Sequence, residues 1–279
     1  MIESPRAEGG QVASAGRPPQ SIVDQMVASS RRRRISFRLQ FGLVWVLVLV
    51  GLIVVLTGGR RPFDWEFIAE WAAFIVGGAG MTILISGVAI AGASVLAIFG
   101  ALGRLSTHVV SNGIASLYVS LVRGTPLIVQ IFFAYFALAE VGLVLSGFVA
   151  GTLALMFNYG AYMTEIFRAG IQAVPRGQVE AARALGMKER IVFRRVVLPQ
   201  AFRIVVPAIG NEFIAMIKDS ALVSTIGVTE LLWRAQTAGR TNVRVLEALI
   251  VAALMYWVLT MIFTFFQERL ERRMARADR

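Results

Sequence analysis

The stretch that decides how this chain is read is Glu180–Pro199, EAARALGMKERIVFRRVVLP. It carries Arg183, Lys188, Arg190, Arg194 and Arg195, yet it lies between apolar runs at Phe148–Phe167 and Ala201–Ile217. Each of those runs is close to the ~20 residues needed to cross a ~30 Å hydrocarbon core. A basic, helix-favouring island between two spans belongs on the cytoplasmic face of a membrane. Pro175 and Gly177 interrupt the preceding helix, because proline cannot continue the hydrogen-bond ladder and glycine marks turns. A helix over Gln178–Leu185 then follows, and Gly186 can end it in the left-handed conformation. Lys188–Leu198 supplies a second helix, after which Pro199 is expected to reopen the chain into the next span. The prediction is a helix-turn-helix elbow with Ala181 and Ala182 on its outer surface, small enough for another protein's cleft to close over them. Glu180, near the helix start, sits favourably with the dipole and is placed to pair with a cation from outside.

Outward from the elbow, composition points to lipid as the solvent. Of 279 residues, 57% are hydrophobic and only 16% charged, well outside the range of an ordinary soluble domain. The net charge of +11 is concentrated beside apolar runs, which the positive-inside rule explains without a nucleic-acid partner. The absence of cysteine excludes disulfides, zinc–thiolate sites and thiol catalysis. His108 is the only histidine and has no companions from which to build a metal site.

Residues 1–40 mix Gly, Pro, Ser and charges and read as a disordered tail ending in Arg31–Arg34. Six spans are expected, at Phe41–Thr57, Ile75–Leu102, Thr125–Ala139, Phe148–Phe167, Ala201–Ile217 and Leu246–Phe266. The expected organisation is an all-α polytopic protein. It has an additional first span and external loop over 41–74, a core over 75–273 with the elbow at 175–200, and a short tail over 274–279. With both termini cytoplasmic, Arg104 and the Arg176–Arg203 cluster fall inside; Lys218, Arg234, Arg240 and Arg244 fall outside with Arg60 and Arg61. Ala93, Ala97 and Ala101 repeat on one helix face, a pattern that suits close helix packing within the subunit or, alternatively, a dimer seam.

Ionisable and polar groups near spans are costly unless paired or wet, and so are candidates for a transport path. Asn158, Tyr162 and Glu165 share a helix face; Asn211, Glu212, Lys218 and Asp219 lie on the fifth span and at its outer end. Such a stripe suits a zwitterion, with a carboxylate meeting its ammonium group. The bland alternative is a buried network tying helices together, for example Glu165 with Arg168 or Lys218 with Asp219. Thr125 reads as a helix cap with Pro126 in the first turn, and Arg123 as a headgroup contact. Met255, Tyr256, Trp257, Met261 and Phe263 read as packing and lipid contact.

The combination Glu180-Ala181-Ala182, Gly186 and Leu198-Pro199 resembles the EAA loop of ABC-importer membrane subunits. RGTPLIVQIFF (123–133), NYGAYMTEIFRAGI (158–171), GQVEAARALGM (177–187), LPQAFRIVVPAIGNEF (198–213) and KDSALVSTIGVTEL (218–231) are similar to the polar amino-acid branch of those permeases, the histidine and glutamine permeases. These segments cover most of residues 78–273; the pair Ser220-Ala221 departs from the branch, which commonly carries two hydroxyl residues there. The resemblance implies a five-span MetI-like core preceded by an extra span, in a bacterial inner membrane. It also implies a second permease subunit, as homodimer or heterodimer, two cytoplasmic ATPases docked on the elbow, and an extracytoplasmic binding protein delivering a polar amino acid. The chain contains no G-x-x-x-x-G-K-[ST] phosphate loop, so ATP and Mg are expected on the partner ATPase and no cofactor or catalytic residue on this chain. The rival readings are a lipid-bound basic loop, an ion-gradient-driven transporter or channel with repeated halves, and an intramembrane enzyme with G-x-S-x-G or H-E-x-x-H. No convincing repeat and neither enzyme motif occurs.

Overall fold

The computed structural model describes residues 63–276 and, before them, the helical positions 40, 43, 44, 46–48, 50, 51 and 54. The expected tail, with Arg31–Arg34, and much of the expected first span lie outside the described residues; its described positions are helical. The residues from Asp64 onward form one compact unit.

The helices are α1 (Trp65–Val76), α2 (Ala79–Leu105), α3 (Val109–Arg123), α4 (Leu127–Phe132), α5 (Leu138–Glu140), α6 (Gly147–Gln172), α7 (Arg176–Ala184), α8 (Glu189–Val192), α9 (Leu198–Asp219), α10 (Leu231–Thr241) and α11 (Val245–Arg276). Among the described residues, two helical runs are long and apolar enough to cross a bilayer, Trp65–Leu105 and Val245–Met274. The pair Val109–Arg123 and Leu127–Glu140, bent by 105°, makes a third candidate. Helices α6 and α9 have 26 and 22 residues, or ~39 and ~33 Å at 1.5 Å per residue, also sufficient to cross. Their polar residues lower their hydropathy; those of α6 turn inward, Asn158, Tyr159 and Thr164 all being buried.

The core is built on α2 and α6. Ile85, Ala89, Ala93 and Ala97 of α2 pack with Ala150, Ala154, Leu155, Tyr159 and Met163 of α6. The repeat Ala93, Ala97, Ala101 is therefore interior packing, each residue no more than 1% exposed. In lipid such close approach gains dispersion contacts that longer side chains would prevent.

Several expectations are corrected. Helix starts at Trp65 rather than near Ile75, with a turn at Gly77–Gly78 between α1 and α2. Helix α3 was not anticipated, because Ser111, Asn112, Ser116 and Ser120 break its apolar run. In the fold it is inside-out: Val110, Ile114, Leu117 and Leu121 are exposed, while Asn112 and Ser116 hydrogen-bond inward around Arg104. Helix α10 was likewise unanticipated. Its N-cap is Glu230, a fully buried carboxylate that accepts from the Trp233 amide at 2.8 Å and from the Tyr256 hydroxyl at 2.6 Å, with Thr82 at 3.3 Å. Tyr256 is thus more than packing, since its hydroxyl fastens α11 to the head of α10.

Candidate functional site

Two regions carry chemistry: the elbow and a cavity among the helices. The elbow forms largely as its local signals dictate. After Ala184 the amide of Gly186 donates to Arg183 O at 2.9 Å and that of Met187 to Ala182 O at 3.2 Å. These are the two bonds of a Schellman termination, and they need a left-handed residue, which Gly186 supplies with φ +75°. Arg183 then staples α7 to α8 through a two-point contact with Glu189, Nε to Oε1 at 2.7 Å and Nη2 to Oε2 at 3.0 Å. The guanidinium holds the Glu189 carboxyl below its ordinary range. Gln200 Nε2 reaches back to Gln178 Oε1 at 2.6 Å, and Val174, Val197 and Ala201 form a small core beneath.

Glu180 and Ala181 are exposed, as expected; Ala182 is not, being 6% exposed on the elbow's inner side with Val192. One further step of ~100° around α7 from Ala181 turns residue 182 to the buried side, while Glu180 and Ala181 stay out. Leu198 is exposed, but Pro199 does not reopen the chain. Helix α8 runs through a π-helical turn, Phe193–Val197, directly into α9, with Pro199 near its start. A proline lacks the amide that the carbonyl four residues earlier would use. A widened turn just before it changes the bonding partners without breaking the helix. A cleft of about 520 Å³ lined by Val174, Arg176, Val179, Glu180 and Arg183 opens beside the elbow.

The second region is a cavity of about 470 Å³ walled by Arg123, Gly124, Thr125, Pro126 and Leu127, by Asn158, Tyr159 and Tyr162 of α6, and by Glu212 and Asp219 of α9. The sharp bend between α3 and α4 creates its first wall. Thr125 is not a cap there: its hydroxyl donates to Leu121 O at 3.1 Å and accepts from Gln130 Nε2 at 2.9 Å. Pro126 itself stands at the N-cap position. Gln130 also donates to Val122 O at 2.8 Å and accepts from Asn158 Nδ2 at 3.3 Å, so one carboxamide fixes the bend and joins it to α6. The Arg123 guanidinium lies 5.0 Å from the centre of the Tyr162 ring, within cation–π range. The Tyr159 hydroxyl donates to Asp219 Oδ2 at 2.8 Å.

Of the residues singled out in the sequence, Asn158, Tyr162, Glu212 and Asp219 meet here. Asn211 and Lys218 are exposed and do not line the cavity. Glu165 does not line it either; it is held by Arg104 Nε at 3.1 Å and Arg168 Nη2 at 2.7 Å, tying α2 to α6. Arg123, Gln130 and Tyr159 build the site as well, and the sequence reading does not place them on the path. Their signal was the Arg-Gly-Thr-Pro turn and its glutamine five residues after Thr125, an amide in an otherwise apolar run. The cavity presents one guanidinium and two carboxyl groups to one space, suited to a ligand bearing both charges.

Residues 93–276 match the family described as binding-protein-dependent transport system inner membrane component. The chain is 40% identical over 206 residues to the arginine transport system permease protein ArtQ of Bacillus subtilis (strain 168), covering 74% of this chain and 94% of that one. It is 37% identical over 214 residues to the glutamine transport system permease protein GlnP of Escherichia coli (strain K12), covering 76% and 98%. A crystal structure of an amino acid ABC transporter with histidines superposes with TM-score 0.74 at 38% identity, over 76% of this chain and 100% of that one. The inward-facing MetNI methionine ABC transporter, at 17% identity and TM-score 0.55 over 76% of this chain and 99% of that one, shares the fold.

Proposed function

As a member of the binding-protein-dependent transport system inner membrane components, the chain is a multi-pass inner-membrane permease subunit of an ABC importer, and we propose that it carries a polar amino acid through the Arg123–Asp219 cavity. It is a transport subunit and not the ATPase. It works with ATPase subunits, a binding protein and a permease partner. The proposed assembly has two permeases and two ATPases, with ATP and Mg held by the ATPases and both termini in the cytoplasm.

The observation that carries this reading is the unbroken helical path from the elbow to the cavity wall. Helix α8, the π turn and α9 connect Glu189 to Asp219 without a loop. A partner that displaces the exposed Glu180–Ala181 surface of α7 acts on that path through the Arg183–Glu189 and Gln178–Gln200 contacts, and so on the element bearing Glu212 and Asp219. Arg123 can receive a substrate carboxylate, and Glu212 or Asp219 its ammonium group, each charge-assisted contact having a fixed partner wall. ATP-driven closure then biases two arrangements of this path, and the chain supplies the path whose equilibrium is shifted. The relatives carry arginine and glutamine, which supports an α-amino acid with a polar side chain as cargo.

The test is co-purification with the ATPase and uptake into proteoliposomes containing the full importer. Glu180→Lys reverses the outer charge and Ala181→Trp overfills the contact; both should remain in the membrane while losing ATPase association and uptake. Full association and uptake in both variants overturns the docking surface. Uptake of charged or amide amino acids that survives Arg123→Ala unchanged overturns the cavity's role.

A further inference from the structure

We propose that Gln267 is a positioning residue for the transport cycle: it pins α11 to α9 at a flexible point between elbow and cavity, so that α9 pivots there. Helix α9 contains Pro207, whose ring removes one hydrogen bond from the ladder and loosens the helix at that point. Gln267 of α11 is 8% exposed, and its Nε2 donates to Pro207 O at 2.6 Å and to Glu271 Oε1 at 3.0 Å. Its carboxamide lies directly on Gly210, where even a Cβ would collide with it. A buried carboxamide inserted between helices is costly in lipid unless its donors are used, and both donor contacts here fix it to one place.

The placement gives the contact its role. Pro207 and Gly210 follow the elbow and precede Glu212 and Asp219 on the same helix. The elbow end also has an adaptable π turn. Force applied at the elbow therefore reaches the cavity through a helix softened at Pro207 and held there sideways by Gln267. With the pin, an elbow displacement becomes rotation of the Glu212–Asp219 half; without it, the same displacement dissipates as bending. This inference rests on the elbow being the ATPase dock.

Gln267→Met keeps volume and removes the donor, and Gly210→Ala drives the carboxamide off its seat. Each is reconstituted with ATPase and binding protein, and uptake per ATP hydrolysed is measured on complexes that retain the ATPase. Both should lower this ratio at least fivefold, a change that a mere loss of assembled complex does not produce. Loss of ATPase association would instead belong to the docking reading. A ratio within twofold of the native importer in either assembled variant overturns the pin. A second measurement leaves the pin intact: spin labels replace Phe202, 60% exposed, and Lys218, also exposed, both on α9 and on either side of Pro207. The absence of native cysteine makes that pair specific. Their distance should change between nucleotide-free and nucleotide-trapped importer; an unchanged distance means that α9 moves as a rigid rod and overturns the pivot, whichever variants assemble.

Discussion

Two glycines nine residues apart in the elbow should respond to alanine with opposite sign. Gly186 has φ +75°, and the space around a new Cβ there is empty, so the cost is purely one of backbone conformation. A left-handed L-residue costs roughly 1–2 kcal/mol. The reduced freedom of the unfolded chain returns ~0.4–1 kcal/mol of this. The net is about 1 kcal/mol against the closed turn, which is about fivefold in its open–closed equilibrium constant. Gly177 lies inside α7, is outside the positive-φ set and also has open space, so alanine there should favour the helix by up to ~1 kcal/mol. Hydrogen exchange of the amides of residues 186 and 187, which close the termination, reads the local effect. Affinity of the nanodisc-embedded permease for its ATPase reads the functional one. Gly186→Ala should speed exchange about fivefold and weaken docking; Gly177→Ala should do neither. Equal weakening by both, or by neither, refutes the argument that docking depends on the left-handed turn.

Glu165→Gln removes the charge shared by Arg104 and Arg168, both partly exposed; losing it should cost about 1–2 kcal/mol, less than for a fully buried pair. The expected result is lower thermal stability and less assembled complex with near-native uptake per complex, and a selective loss of uptake per complex would instead return Glu165 to the path. Val243 is the one non-glycine with positive φ among the described residues, at +56°, and is 71% exposed. Val243→Gly should therefore raise the unfolding midpoint, gaining up to ~1 kcal/mol; a lower midpoint would show that the valine side chain stabilises its corner. The depressed Glu189 carboxyl contributes stability above its unfolded pKa, ~4.3, and loses it as pH falls through the lower folded value. Exchange protection at the α7–α8 turn should thus hold from pH 8 to 5 and fall only in stronger acid; loss already at pH 6 would contradict the staple.

The elbow was legible because its determinants are local. Gly186 ends a helix through bonds reaching three and five residues back, and Pro175 and Gly177 act on their immediate neighbours. The long helices α2 and α11 were legible because a bilayer demands long apolar runs whatever their neighbours; the expected span Thr125–Ala139 proved to be only the second limb of a pair bent by 105°. Which face of each run turns inward was not legible, since lipid and protein interior are alike in apolarity. That is why α3 escaped notice with its polar side inward. Ala182 was placed outside for a different reason: an alanine carries no polarity that says which side of a short helix is covered, and its burial follows from the packing of the elbow. Glu165 shared a helix face with Asn158 and Tyr162, but its partner Arg104 lies 61 residues away, and only packing of α2 on α6 brought the two together. The cavity likewise required the 105° bend, the Gln130 brace and the return of α9 before Arg123 could stand in the same space as Asp219. Sequence alone determined the membrane class and the elbow, because apolar run length and turn chemistry act over short distances, and it pointed to the family through the resemblance of its motifs to known permeases. The tertiary structure decided which charges share a cavity and which merely tie helices, because that choice depends on side chains from separate helices meeting at hydrogen-bond distance.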